Sequence, residues 1–133
     1  MRARIRTPEI KLLRRVNLQN SPLCEANVKL LAENTGLEFL EVYGCGITER
    51  GVKELTKLTK LKTLYIGYNR FPDASVKAFR SFPDLETLSF SNSGRIGDQG
   101  VRDLSGLKKL KSLDLKVTNV TKSRLTLSAR GRR

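Results

Sequence analysis

The segment GCGITERG, residues 44–51, combines residue types that serve two kinds of chemistry. Gly46 and Gly51 have the spacing of the glycines in a phosphate-binding loop, G-x-x-x-x-G-K-[ST], whose backbone N–H groups cradle phosphate. Cys45 stands beside them, where a thiolate would act as a nucleophile. A phosphate loop needs Lys directly after its second glycine, however, and this chain has Val52 there. The spacing therefore predicts a nucleotide site only weakly.

Residues suited to catalysis are few in the rest of the chain. There is no His, which removes the commonest general base and the commonest metal ligand. Two Cys, Cys24 and Cys45, are too few for a four-ligand zinc site and form at most one disulfide. We therefore predict no enzyme, no metal and no cofactor, in a cytoplasmic or otherwise intracellular setting. Only a carboxylate–lysine constellation assembled by the fold stays open as a catalytic alternative.

The charge of the chain is concentrated at its two ends. Its 26 basic and 13 acidic residues give a net charge of +13. Residues 1–15 hold six basic groups and one acid, and residues 116–133 hold six basic groups and no acid. Basic ends attract nucleic acid, anionic surfaces or acidic proteins, so such binding is the alternative function. No apolar run approaches the roughly 18 residues that a membrane span needs.

The body of the chain is an internal repeat. Leucines recur in steps of 24 residues, with one step of 25, and apolar residues stand 3, 5, 10 and about 15 positions after each of them. Such self-similarity is the signature of a solenoid, in which no unit can bury its apolar side alone. The five units begin at Leu13, Leu37, Leu61, Leu85 and Leu110.

Each unit predicts a strand, a turn and a helix. The opening L-x-x-L-x-L alternates as a half-buried strand does. Apolar residues then follow in steps of three, as in Val52, Leu55 and Leu58, which suits one face of a helix or of a tight helical segment. Consecutive strands joined by helices must lie parallel. The residues expected to cap the helices are Thr48, Asp73 and Asp98.

The three middle units also share the positions of single residues between their leucines. Their sequences are LEFLEVYGCGITERGVKEL, LKTLYIGYNRFPDASVKAF and LETLSFSNSGRIGDQGVRDL. They resemble leucine-rich repeats of the cysteine-containing subtype, L-x-x-L-x-L-x-x-C-x-x-I-T-D-x-G-L-x-x-L, which is found in substrate-receptor (F-box) subunits of ubiquitin ligases and in bacterial proteins. The resemblance implies an α/β horseshoe with five parallel strands on its concave face and partner binding as its usual activity. We divide the chain into a basic segment or partial cap (1–12), five repeats (13–127) and a basic tail (128–133).

The repeat gives Cys45 a structural interpretation. The eighth position after each opening leucine holds a small residue that can form hydrogen bonds: Ser21, Cys45, Asn69, Ser93 and Thr118. The resemblance implies that this position points inward and binds the backbone of the loop after the strand. We therefore expect Cys45 to be buried and not to act as a nucleophile.

The residues between the core leucines of each strand face the concave side. Three aromatic residues stand there although the core needs none of them, which favours a binding hot spot for another protein. The rings would equally serve to cover the strand backbone and pack on one another. The predicted function is a non-catalytic protein-interaction module. Its predicted partner-binding residues are Phe39, Glu41, Tyr43, Thr63, Tyr65, Ser89 and Asp114.

Overall fold

A computed structural model describes residues 13–120, and within them the chain forms one parallel sheet of five strands in the order β1-β2-β3-β4-β5. Helical segments connect the strands, as the repeat predicts. The elements are β1 (Arg15–Asn17), α1 (Glu25–Ala32), β2 (Phe39–Glu41), α2 (Glu49–Leu55), β3 (Thr63–Tyr65), the 3₁₀ helix η1 (Asp73–Ser81), β4 (Thr87–Ser89), α3 (Asp98–Asp103) with the 3₁₀ turn η2 (Leu104–Gly106), and β5 (Ser112–Asp114).

The strands pair in the register of the repeat. Leu40 pairs with Leu64 and Leu64 with Leu88, each one repeat further along the chain. The fourth repeat contains one extra residue, and Leu88 still pairs with Leu113. The predicted α/β solenoid with parallel strands is therefore confirmed. The boundaries at 12 and 127 lie at or beyond the edges of the described residues and stay predictions.

The core is the space between the sheet and the helices. The opening leucines Leu37, Leu61 and Leu85 are fully buried, as are the apolar residues that follow at the predicted helical steps. In the third repeat, the apolar residues at steps of three begin on η1. A 3₁₀ helix places residues three positions apart on one line along its surface. Val76 and Phe79 of η1 are consequently at most 1% exposed.

The residues predicted to mark the helix starts lie within one residue of them, but only Thr48 occupies the N-cap position. Thr48 occupies the position before α2, but its hydroxyl caps no N–H group there. The residues before η1 and α3 are Pro72 and Gly97, so Asp73 and Asp98 begin those helices. The Asp73 carboxylate accepts the backbone N–H of Gly97, 3.1 Å away in the next repeat. Asp73 therefore forms a hydrogen bond to the next repeat, where the sequence had predicted a cap for the helix of its own repeat.

Every repeat turns at one residue with left-handed backbone geometry, directly before the hydrogen-bonding position. Asn20, Gly44 and Asn92 suit this geometry, because Gly and Asn tolerate a positive φ better than other residues. Tyr68 and Val117 adopt it too, with φ of 51° and 56°. A β-branched residue at positive φ is strained, so the repeat imposes this turn even where the local sequence opposes it.

Relief of this strain is measurable at Val117, whose side chain is 72% exposed and contributes little packing. We expect Val117→Asn to raise the free energy of unfolding by about 1 kcal/mol, since Asn accepts left-handed geometry more readily. The reverse change in the first repeat, Asn20→Val, should lower it by a similar amount. Urea denaturation measures both; a Val117→Asn variant less stable than the wild type would contradict the strain.

Asn34 is a polar residue in an apolar column. It stands three residues before an opening leucine, the position held in later repeats by Leu58, Phe82 and Leu107, and it is 0% exposed. Its backbone makes the same hydrogen bonds as that of Leu58, one to the carbonyl three residues before and one from the opening leucine. Neither its amide oxygen nor its amide nitrogen has a hydrogen-bond partner. A buried amide without a partner is destabilising.

We expect Asn34→Leu to raise the free energy of unfolding by about 1–3 kcal/mol, because it removes the unpaired amide and restores the apolar column. The matched control is Asn69→Leu, since the Asn69 amide is fully hydrogen-bonded and its loss should destabilise. Guanidinium denaturation at constant m-value measures both changes. Equal destabilisation by the two variants would show that the Asn34 amide is satisfied in solution.

Candidate functional site

The hydrogen-bonding position after each strand holds the edge of the sheet together. The Asn69 side-chain oxygen accepts the N–H groups of Cys45 and Ile47, at 3.1 and 2.7 Å. Its amide nitrogen lies 2.9–3.0 Å from three carbonyl oxygens, to which it donates. One amide thus contacts five backbone groups in two repeats, with its two N–H hydrogens shared among three carbonyls, one of which, that of Gly67, also accepts the N–H of Gly44. The three carbonyls belong to Val42, Ile66 and Gly67.

Cys45 plays the same part with a thiol. It is 1% exposed, and its Sγ donates to the carbonyl of Leu18, 2.9 Å away in the preceding repeat. Burial raises the pKa of the Cys45 thiol; backbone hydrogen bonds at Ser21 and Asn20 offset part of this rise, and the Glu41 carboxylate adds the smallest contribution, also upward. A neutral, enclosed thiol is a poor nucleophile. Its flanking glycines, Gly44 and Gly46, have φ of +68° and +79° and form the turn.

Six of the seven predicted binding residues lie in two rows across the sheet, and Tyr43 follows β2. Phe39 and Thr63 pair in the first row. Glu41, Tyr65, Ser89 and Asp114 are consecutive partners in the second. The second row and Tyr43 share a groove of about 440 Å³ on this face. The sheet therefore brings all seven residues to one face, and five of them to one groove.

The aromatic residues on this face pack against one another. The rings of Phe39 and Tyr65 meet edge to face with centroids 5.6 Å apart, and the Arg15 guanidinium lies 4.0 Å from the centre of the Phe39 ring. Tyr43 stacks on Tyr68, with centroids 5.7 Å apart. Phe39, Tyr43 and Tyr65 remain partly exposed. Each ring is thus fixed by a neighbour while part of its surface faces solvent.

Tyr68 belongs to this cluster, and the sequence prediction missed it. Its side chain is 63% exposed although it stacks on Tyr43, whose hydroxyl accepts a 2.6 Å hydrogen bond from Asn92. The available signal was its place in the repeat, since Tyr68 occupies the turn position that other repeats give to Gly44 and Asn92. A large aromatic residue held in a strained, exposed position is a functional candidate.

The polar residues of the groove are oriented by the turn. Glu41 accepts the N–H of Tyr43 at 3.0 Å, and Asp114 accepts the N–H of Lys116 at 3.0 Å. The Ser89 hydroxyl donates to Asp114 across 3.3 Å. Neither carboxylate forms an ion pair with any residue of 13–120. Ser89 is only 8% exposed, so it supports Asp114 more than it offers surface of its own.

Among residues 13–120, no group of three His, Cys, Asp or Glu side chains lies close enough together to hold a metal ion. Within the same residues, no helix has the length and apolar content to cross a membrane. The concave face itself presents aromatic rings, hydroxyl groups and two carboxylates.

Known proteins share this architecture. A family model described as leucine rich repeat matches residues 59–120. Similar solved structures include an internalin from Listeria monocytogenes (25% identity, TM-score 0.74), leiomodin-1 actin-binding site 2 (14%, 0.71) and TLR13 in a complex with ssRNA13 (23%, 0.66). The likeness covers 97%, 94% and 86% of this chain, and 36%, 86% and 17% of those chains, respectively. No curated protein matches the chain.

These findings support a leucine-rich repeat protein, and the fold is an α/β leucine-rich-repeat solenoid. This confirms the fold that the sequence resemblance implied, without distinguishing the cysteine-containing subtype. The chain spans about a third of the internalin and less than a fifth of TLR13. The fold fits a protein-interaction module, and the family is generally not enzymatic. Which face binds, and what it binds, depends on the side chains of this chain.

The two cysteines provide a test of the site chemistry. Cys24 is exposed and Cys45 is buried with a raised pKa, so a thiol reagent at pH 8 should label one thiol per native chain rapidly and both after denaturation. Absorbance of the released thiolate measures the stoichiometry. The variant Cys24→Ser should show almost no rapid labelling. Rapid labelling of that variant would contradict the structural role of Cys45.

Proposed function

We propose that this chain is a non-catalytic module that binds another protein through the concave face of its sheet. The observation that carries the proposal is the cluster of partly exposed rings of Phe39, Tyr43, Tyr65 and Tyr68 on a face whose strands need no aromatic side chains for their core. Tyr side chains offer a large contact area with few rotatable bonds, which suits binding hot spots.

The width of the concave face limits how large a part of a partner protein it can contact. Neighbouring strands lie about 4.8 Å apart, so five strands give a surface roughly 20 Å wide. A standard protein interface buries about 800 Å² on each partner, which this face reaches only if its loops take part. The proposed contact is therefore a short segment of the partner lying in the groove, anchored by Tyr65 and flanked by the stacked Tyr43 and Tyr68.

The cysteine-containing subtype is part of the proposal, and its support is the hydrogen bonding of Cys45. The thiol donates to Leu18 in one repeat while the N–H of the same residue donates to Asn69 in the next. Small hydrogen-bonding residues fill this position in other repeats as well: the Ser93 hydroxyl accepts the N–H of Tyr68, and Thr118 donates to Leu115. A cysteine here is one of several side chains that fit the same position.

Binding of nucleic acid or an anionic surface through the basic ends stays a prediction, because most of those residues lie outside 13–120. The described basic residues nearest the N-terminal end are already engaged. Arg14 pairs with Glu38 at 2.9 Å, and Arg15 lies over the ring of Phe39. No observation in the described part of the chain favours this function over the concave face.

Tyr65→Ala combined with Phe39→Ala should weaken binding of a captured protein partner by about 30-fold or more, the loss expected of a hot spot worth 2 kcal/mol. Immobilised wild-type chain captures the partner, mass spectrometry identifies it, and calorimetry on the purified pair measures Kd. The control is Lys53→Ala with Lys77→Ala, two exposed residues on the helical side. Circular dichroism checks that every variant is folded.

The outcomes separate the concave face from the basic ends. Binding through the face should weaken only modestly from low to moderate salt, whereas binding of nucleic acid by the ends should fall steeply over the same range. A partner whose Kd is unchanged by the double aromatic variant and raised by the lysine variant would refute the proposed face.

A further inference from the structure

The groove on the concave face is acidic, although the chain is strongly basic. The full chain has twice as many basic as acidic residues, yet the ten residues lining the groove include Glu41 and Asp114 and no Lys or Arg. Arg15 and Lys116 stand on the same side of the sheet but do not line the groove. At physiological ionic strength, charges further than about 8 Å away are largely screened. A ligand in the groove therefore meets the two carboxylates, and near Asp114 also the charge of Lys116 two residues away, more than the distant charges of the chain.

Both carboxylates are held in place by hydrogen bonds, and no Lys or Arg among residues 13–120 forms an ion pair with them. Each accepts one backbone N–H two residues further along the chain, and Asp114 also accepts the Ser89 hydroxyl. These bonds leave acceptor capacity on each group, because an ionised carboxylate has about four acceptor sites. Six other acidic residues among 13–120 form ion pairs with Lys or Arg, whereas Glu41 and Asp114 form none there.

The register fixes the separation of the two charges. Glu41 and Asp114 stand in one row of the sheet, on β2 and β5, with Tyr65 and Ser89 between them. Three strand spacings of about 4.8 Å put their Cα atoms about 14 Å apart. An extended chain advances about 3.3–3.6 Å per residue, so residues four positions apart span nearly the same distance. Between the charges, the Tyr65 ring offers a face to a cation or an aliphatic stem.

We propose that the groove binds an extended segment of a partner protein that carries two basic side chains four positions apart, one at Glu41 and the other at Asp114. This rests on the proposed function, since it names the class of partner for the same face. The segment crosses the strands, and its two cations form the charge-assisted hydrogen bonds that the carboxylates lack within 13–120. Its middle residues lie over Tyr65 and Ser89.

Selection from a phage library of random 12-residue peptides tests this, with the folded full-length chain immobilised as bait. We expect enriched peptides to carry two Lys or Arg residues with three residues between them. The most enriched peptide is then synthesised, and its Kd is measured by fluorescence anisotropy. The variant Glu41→Gln with Asp114→Asn should weaken binding at least about tenfold. The matched control, Glu38→Gln with Glu86→Gln, makes the same change in net charge outside the groove and should bind as the wild type does.

The variant Tyr65→Ala separates this inference from the proposed function. Enriched peptides that lose binding with Tyr65→Ala but show no basic pair would overturn the inference and leave concave binding intact. Peptides insensitive to both Tyr65→Ala and the charge variant would overturn both. Acidic peptides, or no enrichment over bait-free selection, would also overturn the inference. So would concentration-dependent dimers that the charge variant abolishes, because the groove would then bind a second copy of this chain.

Discussion

Hydrogen bonding between equivalent residues of successive repeats is the constraint on which the other features of this fold depend. Each strand is only three residues long, so the ladder must continue into the flanking turns. Before each strand, one carbonyl accepts two N–H groups of the next repeat, as the Glu38 carbonyl does from Lys62 and Thr63. After each strand, Val42 donates to Tyr65 and Ile66 donates to Ser89. This backbone pattern repeats only when successive units follow the same path.

That constraint aligns the equivalent side chains of successive repeats into columns. The columns differ greatly in how much they contribute to the free energy of folding. The column before the strands alternates in sign, with Arg14, Glu38, Lys62, Glu86 and Lys111 in order. Its pairs are solvent-exposed, so each is worth less than about 1 kcal/mol and chiefly opposes pairing out of register. The apolar columns contribute far more, because fully burying one Leu side chain is worth roughly 1.5–3 kcal/mol. Burial of the apolar columns drives the stacking of the repeats, and the charged column favours the register in which the repeats stack.

Periodicity in the sequence predicted the features that every repeat shares. It predicted the strands, their parallel register and the buried steps on the helical side, because each requires an apolar residue at the same place, and it predicted the burial of Cys45 from a position that always holds a small residue able to form hydrogen bonds. It missed what single repeats do differently. Asn34 is polar, so a search for apolar recurrence passed over it. Asp73 was predicted to cap its own helix, but it bonds Gly97 of the next repeat, a contact that only the stacked units create.

The two sides of a strand show why function is harder to predict than fold. At the position facing the core the five strands carry Val16, Leu40, Leu64, Leu88 and Leu113, all aliphatic, of which the middle three are fully buried and the outer two half-buried. At the next position they carry Asn17, Glu41, Tyr65, Ser89 and Asp114, five residues of differing size and charge. Stacking restricts the first set and leaves the second free, since a concave side chain need not match its neighbours to keep the register. The contacts of the second row are particular to single repeats, such as the hydrogen bond from Ser89 to Asp114 and the ring contact of Tyr65 with Phe39. The apolar periodicity does not require a tyrosine between two carboxylates that form no ion pair within residues 13–120.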